Sequence, residues 1–505
     1  MADTPPPVTQ ELCDWIHRLC LSDIPEEKVT RCKYLILDGL ACALIGAHLP
    51  WSEDAVKGVL SIEPEGSCNI IGWERKIGPL AAALLNSTFI QGFELDDYHR
   101  EAPIHSNSIV LPTLLATIEH CNPQSATDTT PLTGAEFLLA AIVGFETGPR
   151  VGLGVYGIEV LSHGWHSGAI FGPSAAAASA TKLMQLSAPM IEDAVGIACT
   201  QAGGLMSAQY ESTVKRMQHG FAARNGLFAA FMARSGYTGI KKVLERPYGG
   251  FLSTFSQGNG RTPPYQPERV VEGIDSTWEI DQILVKPYAS MAATHGTIDA
   301  ISALQAKYPG ELKGNRIRRI NVELSEPAFK KGGWEPKYPL TVTGAQMSCA
   351  YAAAMQILEG AVQPAQFAPA QLERQDVWTL MGKIKCVHNP DFDHTMAAIW
   401  QQRVHVELWE GDEQSGESKT LVQYIDAPRG NKVPLSNEEI LGKWRSNTKD
   451  VIDQERREAI EKLVLGLEGV DDVRGLVELL RRRTGNVFDA ASGHGHGYKS
   501  VGSKI

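Results

Sequence analysis

The sequence predicts a mainly α fold: a large all-helical domain built from both chain ends, with a smaller α+β lid domain inserted into it. Three observations carry that expectation. Ala-rich apolar segments recur through the first half, strand-type alternation is confined to a stretch after about residue 275, and helical spacing returns near the C-terminus. The boundaries that follow are a helical part over 1–275, an α+β lid over 276–433, a second helical part over 434–485 and a flexible tail over 486–505.

Thr9 is placed to cap a first helix whose Leu12, Ile16, Leu19 and Cys20 share one face, the i, i+4, i+7, i+8 pattern. The segments "YLILDGLACALIGA", "AAALLNSTFIQGFEL", "EFLLAAIVGFETG", "GPSAAAASATKLM" and "GFAARNGLFAAFMA" follow. Small residues at this density predict helices approached closely on several sides, as in a core. Between them "CNPQSATDTTPLTG" (121–134) reads as a polar loop. In the inserted region Ile320, Val322 and Leu324 alternate with polar residues, as do Val404, Val406 and Leu408. The second of these strands runs through "GDEQSGES" into "KTLVQYIDAP", which predicts a hairpin, and "GTIDAISALQAKYPG" reads as a helix of the same region. Helical spacing then resumes at Ile460, Leu463, Val464 and Leu467, and again at Val473, Leu476, Val477 and Leu480. The last stretch, "ASGHGHGYKSVGSKI", reads as the tail.

At 505 residues the chain exceeds one typical domain, so two packed units with ample cores are expected. Apolar residues at 43% and charged residues at 21% are ordinary for a globular protein. A formal charge of −11, with no basic stripe beyond Arg481–Arg483 at a helix end, argues against nucleic acid as a partner. Nine cysteines, an odd number without a C-x-x-C pair, fit reduced thiols inside a cell. The start "MADTPPPVTQELCDW" lacks the basic and apolar regions of a secretory signal. No apolar run approaches the roughly 18–20 residues of a membrane span, so a soluble protein with no membrane partner is expected. Ser503, Lys504 and Ile505 resemble a peroxisomal address, with isoleucine for leucine; the cytoplasm is the expected location and the peroxisome the alternative.

Four segments concentrate polar groups in apolar surroundings. "FELDDYHREAPIHSNSIVLP" (93–112) places Glu94, Asp96, Asp97 and Glu101 among His99 and His105. "LSHGWHSGAIFGPS" carries His163 and His166 before a Gly/Ala helix. "TQAGGLMSAQYESTVKRMQHGFAARNG" carries Lys215, Arg216, His219 and Arg224, and "ILVKPYASMAATHG" carries Lys286 and His295. His163-x-x-His166 has donors that suit zinc or iron, but no H-E-x-x-H or comparable ligand set accompanies it, so no metal is expected. No Gly-rich phosphate loop follows a strand, "GNG" at 258–260 is a turn, and there is no G-x-S-x-G elbow. Imidazole, ammonium and small backbone recur together. That set suits a small polycarboxylate, with cations on the carboxylates and an imidazole moving a proton.

The stretches "GFELDDYHREAPIHSNSIVLP", "GWHSGAIFGPSAAAA", "ACTQAGGLMSAQY", "VKRMQHGFAARNG" and "ERPYGGFLSTFSQGNGR" together resemble the MmgE/PrpD family, from the first helix to about residue 480. Within it the likeness is closest to the fungal-type branch that converts cis-aconitate to itaconate. The resemblance implies a helical domain with an α+β lid, a homodimer, and neither metal nor organic cofactor. By position it implies His105 as the proton-transfer histidine, His166 as a second site histidine, and Lys215 and Lys286 as the substrate-facing lysines. Glu94 stands where related members have aspartate, and Tyr98 where animal members have threonine. Asp97, His219, Met291 and Trp334 complete the expected set on the substrate-binding side, Trp334 near a lid tyrosine.

One departure matters. Many members carry a histidine five residues after the lid lysine, where this chain has Met291. Methionine neither protonates nor binds carboxylate, so either His105 serves alone as the acid or the substrate is more apolar. Three readings therefore stand: decarboxylation of cis-aconitate, dehydration of 2-methylcitrate or a longer 2-alkylcitrate by the same acid–base site, and a non-catalytic dimeric binding protein. For the first, Lys215, Lys286 and His166 are expected to neutralise the retained carboxylates, and Glu94 or Asp97 to raise the pKa of His105.

Overall fold

A computed structural model describes residues 7–121, 131–209, 212–394, 400–410 and 417–491. Most of the expected polar loop at 121–134, the hairpin turn at 411–416, the tail beyond 491 and the C-terminal tripeptide lie outside the described residues. The chain divides into two compact units, one of Met1–Pro287 with Pro434–Thr484, the other of Tyr288–Val433 with Gly485–Ile505. The first unit therefore continues to Pro287, past the change of sequence texture near 275.

The first unit is helical. Its interior is made by helices Glu26–Gly46, Pro79–Ile90, Ser106–Cys121, Gly134–Gly154, Ser167–Leu183, Ala188–Cys199 and Gln218–Arg234. Small residues let them approach closely. Ala177, Ala194, Ala198 and Ala229 form one buried cluster, and a Cβ at Gly226 would collide with Ala176 and the Pro173 carbonyl on the neighbouring helix. Larger apolar groups fill the rest: Leu35, Leu40 and Leu44 are buried, each contributing about 1.5–3 kcal/mol relative to exposure.

Helix starts follow local chemistry. Pro79 opens its helix after Gly78, where the missing N–H costs nothing. Thr133 and Glu136 form a reciprocal capping box on Gly134–Gly154, a T-x-x-E signal legible in the sequence. Thr9, expected as a cap, instead lies within Val8–Arg18, buried, with its hydroxyl on the Glu245 carboxylate. The expectation of no membrane-length apolar run also needs correcting: Gly134–Gly154 is long and apolar enough by composition, and 89% of its apolar 18-residue window is buried inside the protein, as in a core helix.

Two short antiparallel ribbons complete this unit, Cys68–Ile70 with Arg75–Ile77 and Tyr98–His99 with Ile283–Leu284. The second ribbon matters most, because it fixes the acidic loop beside the chain that leads to Lys286.

The second unit is α+β. Its four-stranded sheet runs Ile384–His388, Ile317–Leu324, Gln402–Trp409, Ser418–Ile425, with the first pair parallel and the others antiparallel. Ile320, Val322 and Leu324, and Val404, Val406 and Leu408, are all buried, as the period-two alternation requires. Helices Ala292–Lys307 and Cys349–Glu359 pack with this sheet. The segment expected as tail begins instead with a short helix, Val487–Ala491.

Candidate active site

The polar segments of the helical unit converge on Glu94. The chain leaves helix Pro79–Ile90, turns through Gln91–Asp97 and enters the Tyr98–His99 strand. Its partner strand, Ile283–Leu284, ends two residues before Lys286, whose Nζ lies 3.2 Å from Glu94 Oε2 and 3.7 Å from Asp96 Oδ1. From the other side, the 3-10 turn Thr213–Met217 delivers Lys215 and Arg216. Lys215 Nζ donates to Glu94 Oε1, and Arg216 Nη1 lies 2.9 Å from the same oxygen. The Arg216 guanidinium also sits over the Trp51 ring, 5.7 Å from its centre, while Trp51 Nε1 donates to the Gly92 carbonyl at 2.9 Å. One buried carboxylate thus gathers three buried cations.

This crowding sets the charges. Burial would raise Glu94, but Lys215, Lys286 and Arg216 outweigh it and hold the carboxyl well below its usual range. Burial would lower Lys286, yet Glu94 and Asp96 raise it. For Lys215 burial wins: together with Arg216 and Lys286 it brings the ammonium down to about 8 despite Glu94. Lys215 is therefore charged at neutral pH yet close to releasing a proton.

Three imidazoles lie at three helix N-termini. His105 immediately precedes Ser106–Cys121, His166 is the residue before Ser167–Leu183, and His219 is second in Gln218–Arg234. The His105 and His219 rings are 4.9 Å apart, as are those of His166 and His219. Converging positive helix ends favour an anion and oppose charge on an imidazole.

His105, 22% exposed, is the ring of the three with a carboxylate partner: its Nδ1 lies 3.0 Å from Asp96 Oδ2. Burial pushes Asp96 up, but His105 and Lys286 hold it below its ordinary value, so it stays ionised. Asp96 faces Nδ1 as an ion-pair partner, without the alignment of a hydrogen bond, which leaves Nε2 as the nitrogen to exchange a proton with a ligand. His166 is pushed down to about 3 by burial, then by His105 and Lys215, and its buried Nδ1 has no hydrogen-bond partner among the described residues. It is a neutral donor or acceptor at physiological pH, which corrects the expectation of a cationic clamp there.

His219 is likewise neutral, driven well below the ordinary imidazole value by burial and by its neighbours His105, His166 and Lys215. Its tautomer follows from its partners. Ser108 Oγ lies 2.8 Å from the His105 carbonyl, to which only its proton can be directed, and 2.7 Å from His219 Nδ1. The ring nitrogen must then be the donor to Ser108. Gln91 accepts the His219 backbone N–H at 3.3 Å and places its own amide nitrogen 3.4 Å from Nε2, which is therefore the acceptor. A Cβ at Gly168 would collide with Nε2, so glycine is required there for the ring to sit where it does.

Other expected residues fall elsewhere. Asp97 is fully buried and accepts the backbone N–H groups of Ser106 at 2.9 Å and Asn107 at 3.1 Å, capping the helix that follows His105. Burial, with Asp96 and Asp38 nearby, raises it to about 8 against those two bonds. It is a helix cap, not a group placed on the substrate side, and neither it nor Glu94 partners His105. That partner is Asp96. Arg216, the third cation, was legible as the neighbour of Lys215.

Tyr98, half-buried in its strand, is among the groups that raise Lys286. His163 points both ring nitrogens at carbonyls, of Glu159 at 2.7 Å and Gly258 at 3.0 Å, and has no ligating role. His99 receives the Ala102 N–H at 3.0 Å on Nδ1, so its Nε2 donates to Glu279 at 3.1 Å, fixing the loop. Asp96, His105 and His219 offer donor atoms within 4.8 Å of one another, but Asp96 is already neutralised by His105 and Lys286.

Met291 and Trp334 belong to the α+β unit. Met291 precedes helix Ala292–Lys307, its N–H bonded to the Gln346 carbonyl at 3.0 Å, and Trp334 Nε1 donates to the Met347 carbonyl at 3.2 Å. Both are tied to the same 346–347 turn. His295 is buried, with Nε2 2.9 Å from the Ser290 carbonyl.

Comparison with known proteins matches the MmgE/PrpD N-terminal domain to residues 10–263 and the MmgE/PrpD C-terminal domain to residues 288–468. The cis-aconitate decarboxylase-like protein oryM of Aspergillus oryzae is 49% identical over 477 residues, 94% of this chain and 97% of that protein. A cis-aconitate decarboxylase of Aspergillus terreus is 46% identical over 479 residues, 94% and 96% of the two chains. The human cis-aconitate decarboxylase is 26% identical over 483 residues, 94% of each.

Proposed function

The chain belongs to the MmgE/PrpD family, and from that membership and the geometry around Glu94 we propose that it decarboxylates cis-aconitate to itaconate and CO2 as a carboxy-lyase. The observation that carries the reading is the gathering of Lys215, Arg216 and Lys286 on one buried carboxylate, beside the Asp96–His105 pair. Three cations against Glu94 and Asp96 leave a local excess of positive charge, which suits a small polycarboxylate.

The carboxylate on the methylene carbon leaves as CO2. Its bonding electrons form the new terminal double bond, and the original double bond shifts its electrons to the carbon beside a retained carboxylate. That dienolate needs cationic stabilisation, supplied by Lys215, Arg216 and Lys286 in a water-poor setting where such interactions are strong. One proton on carbon completes itaconate. His105, oriented through Nδ1 by Asp96, delivers it from Nε2. Lys215, brought to about 8, is suited to restoring the proton. Neutral His166, with an unpartnered Nδ1, serves as a hydrogen-bonding contact for the substrate.

The same reading makes the protein a cytoplasmic homodimer that works without metal or organic cofactor. Product analysis on chelator-treated protein tests it. Itaconate and CO2 from cis-aconitate are expected. An unsaturated tricarboxylate from 2-methylcitrate, with cis-aconitate untouched, would instead make it a dehydratase, and sedimentation tests the dimer.

A further inference from the structure

The acidic loop is held by donors from outside itself. Trp51 holds the Gly92 carbonyl. The second donor is Lys443, on helix Asn437–Thr448, 348 residues further along the chain than the residue it grips. Its ammonium, only 7% exposed, donates to the Leu95 carbonyl at 2.7 Å and lies 2.6 Å from Asp38 Oδ1 on helix Glu26–Gly46. Leu95 stands between Glu94 and Asp96. Its carbonyl lies in the peptide plane that leads to Asp96, so fixing that plane limits where both flanking carboxylates can point.

We propose that Lys443 is a positioning residue for the reaction. By gripping the Leu95 carbonyl it directs Glu94 at the three cations and Asp96 at His105, without touching substrate itself. A charge-assisted hydrogen bond in a buried setting is suited to this, because it is strong and directional. Asp38 balances the ammonium: burial raises its carboxyl, and Lys443 is the largest opposing influence. The pair therefore brings a net-neutral anchor to a loop already crowded with charge. This inference rests on the functional reading above.

Lys443→Met alone would strand Asp38 as a buried unpaired acid and put the fold at risk. The informative set is therefore D38N, K443M/D38N and K443R/D38N, each assayed for itaconate formation and thermal unfolding. D38N keeps the Leu95 bond and should hold kcat within about threefold of wild type, whereas K443M/D38N should lose about 30-fold in kcat with less than about a fivefold rise in KM, the pattern of misplaced catalytic groups. Its melting temperature should stay close to that of D38N, and arginine at 443 should recover most of the lost kcat. A folded K443M/D38N as fast as D38N overturns the proposal, as does a loss confined to stability. A wild type that leaves cis-aconitate untouched overturns the functional reading instead, and is seen before any variant is compared.

Discussion

Asp96 and Asp97 are adjacent in the chain and equally buried, yet the two faces of their loop hold them in opposite states. On one face Asp96 meets His105 and Lys286 and stays ionised. On the other Asp97 meets two backbone N–H groups and the fields of Asp96 and Asp38, and is raised to about 8. The lesson is that burial alone does not decide a charge. Mobile cations on side chains offset desolvation where neutral peptide dipoles do not. It also divides the labour of the loop: the cation-facing side is arranged for chemistry, and the other side anchors a helix.

The largest effect should come from the cation-facing side. His105→Ala removes the proposed acid and the partner of Asp96, and kcat should fall about 10²–10⁴-fold while far-UV circular dichroism stays unchanged. A variant within tenfold of wild type would move proton delivery to Lys215.

Glu94→Gln should act next, on stability as well as turnover. It leaves Lys215, Arg216 and Lys286 together without their shared anion, and removing one member of a buried charge cluster costs about 3–5 kcal/mol. The pH dependence gives a sharper check. Glu94 has a folded pKa below its unfolded value, so its stabilisation is fully present above that unfolded value and is lost as pH falls through the folded one. Unfolding of the wild type should therefore show an acid-side loss that E94Q lacks, measured by urea titration between pH 3 and 7. Equal acid sensitivity in both proteins would mean that other carboxylates dominate it.

The two aspartates can be compared directly. Asp96→Asn should cut kcat about 10–100-fold with a small change in melting temperature, since it removes the orientation and charge behind His105. Asp97→Asn should do the reverse, lowering stability while kcat per folded molecule stays within about threefold, because it disturbs a helix cap worth about 1 kcal/mol. For Asp97 the sign is opposite to that of Glu94. Its folded pKa of about 8 exceeds the unfolded one, so the native state holds a proton that the unfolded chain has released, and stability declines as pH rises toward 8. D97N should flatten that decline. Identical profiles for D96N and D97N would erase the distinction between the two faces.

Much of this was legible in the sequence where periodicity or residue type decides. The Ala-rich helices and the alternation at Ile320–Leu324 and Val404–Leu408 are one-dimensional patterns with direct structural meaning. His105, Lys215 and Lys286 stood out because imidazole and ammonium are uncommon within apolar segments. What could not be read was partnership. Nothing local tells that Asp96 rather than Asp97 turns toward His105, or that Lys443 reaches Leu95 across 348 residues. Nor does residue type alone show that His166 is too deeply buried, beside His105 and Lys215, to carry charge. Thr9 failed as a cap for a related reason, since its distant partner Glu245 took the hydroxyl that local chemistry would have used.

The smallest effect belongs to Ser108, and it tests how the three imidazoles share protons. Its hydroxyl proton goes to the His105 carbonyl, so it receives one from His219 Nδ1 and holds that ring in a single neutral tautomer with Nε2 toward Gln91. Ser108→Ala should remove about 1 kcal/mol of hydrogen bonding and lower kcat only about three- to tenfold. Its diagnostic consequence is spectroscopic: in ¹⁵N-histidine spectra the wild type should show His219 protonated at Nδ1, and S108A should show a mixture of tautomers. Ser108→Thr, which keeps the hydroxyl, should restore the single form. If S108A keeps a pure Nδ1–H signal, then Gln91 and the steric fit against Gly168 orient the ring unaided, and the cation-facing side of the site is more rigid than its hydrogen bonds alone require.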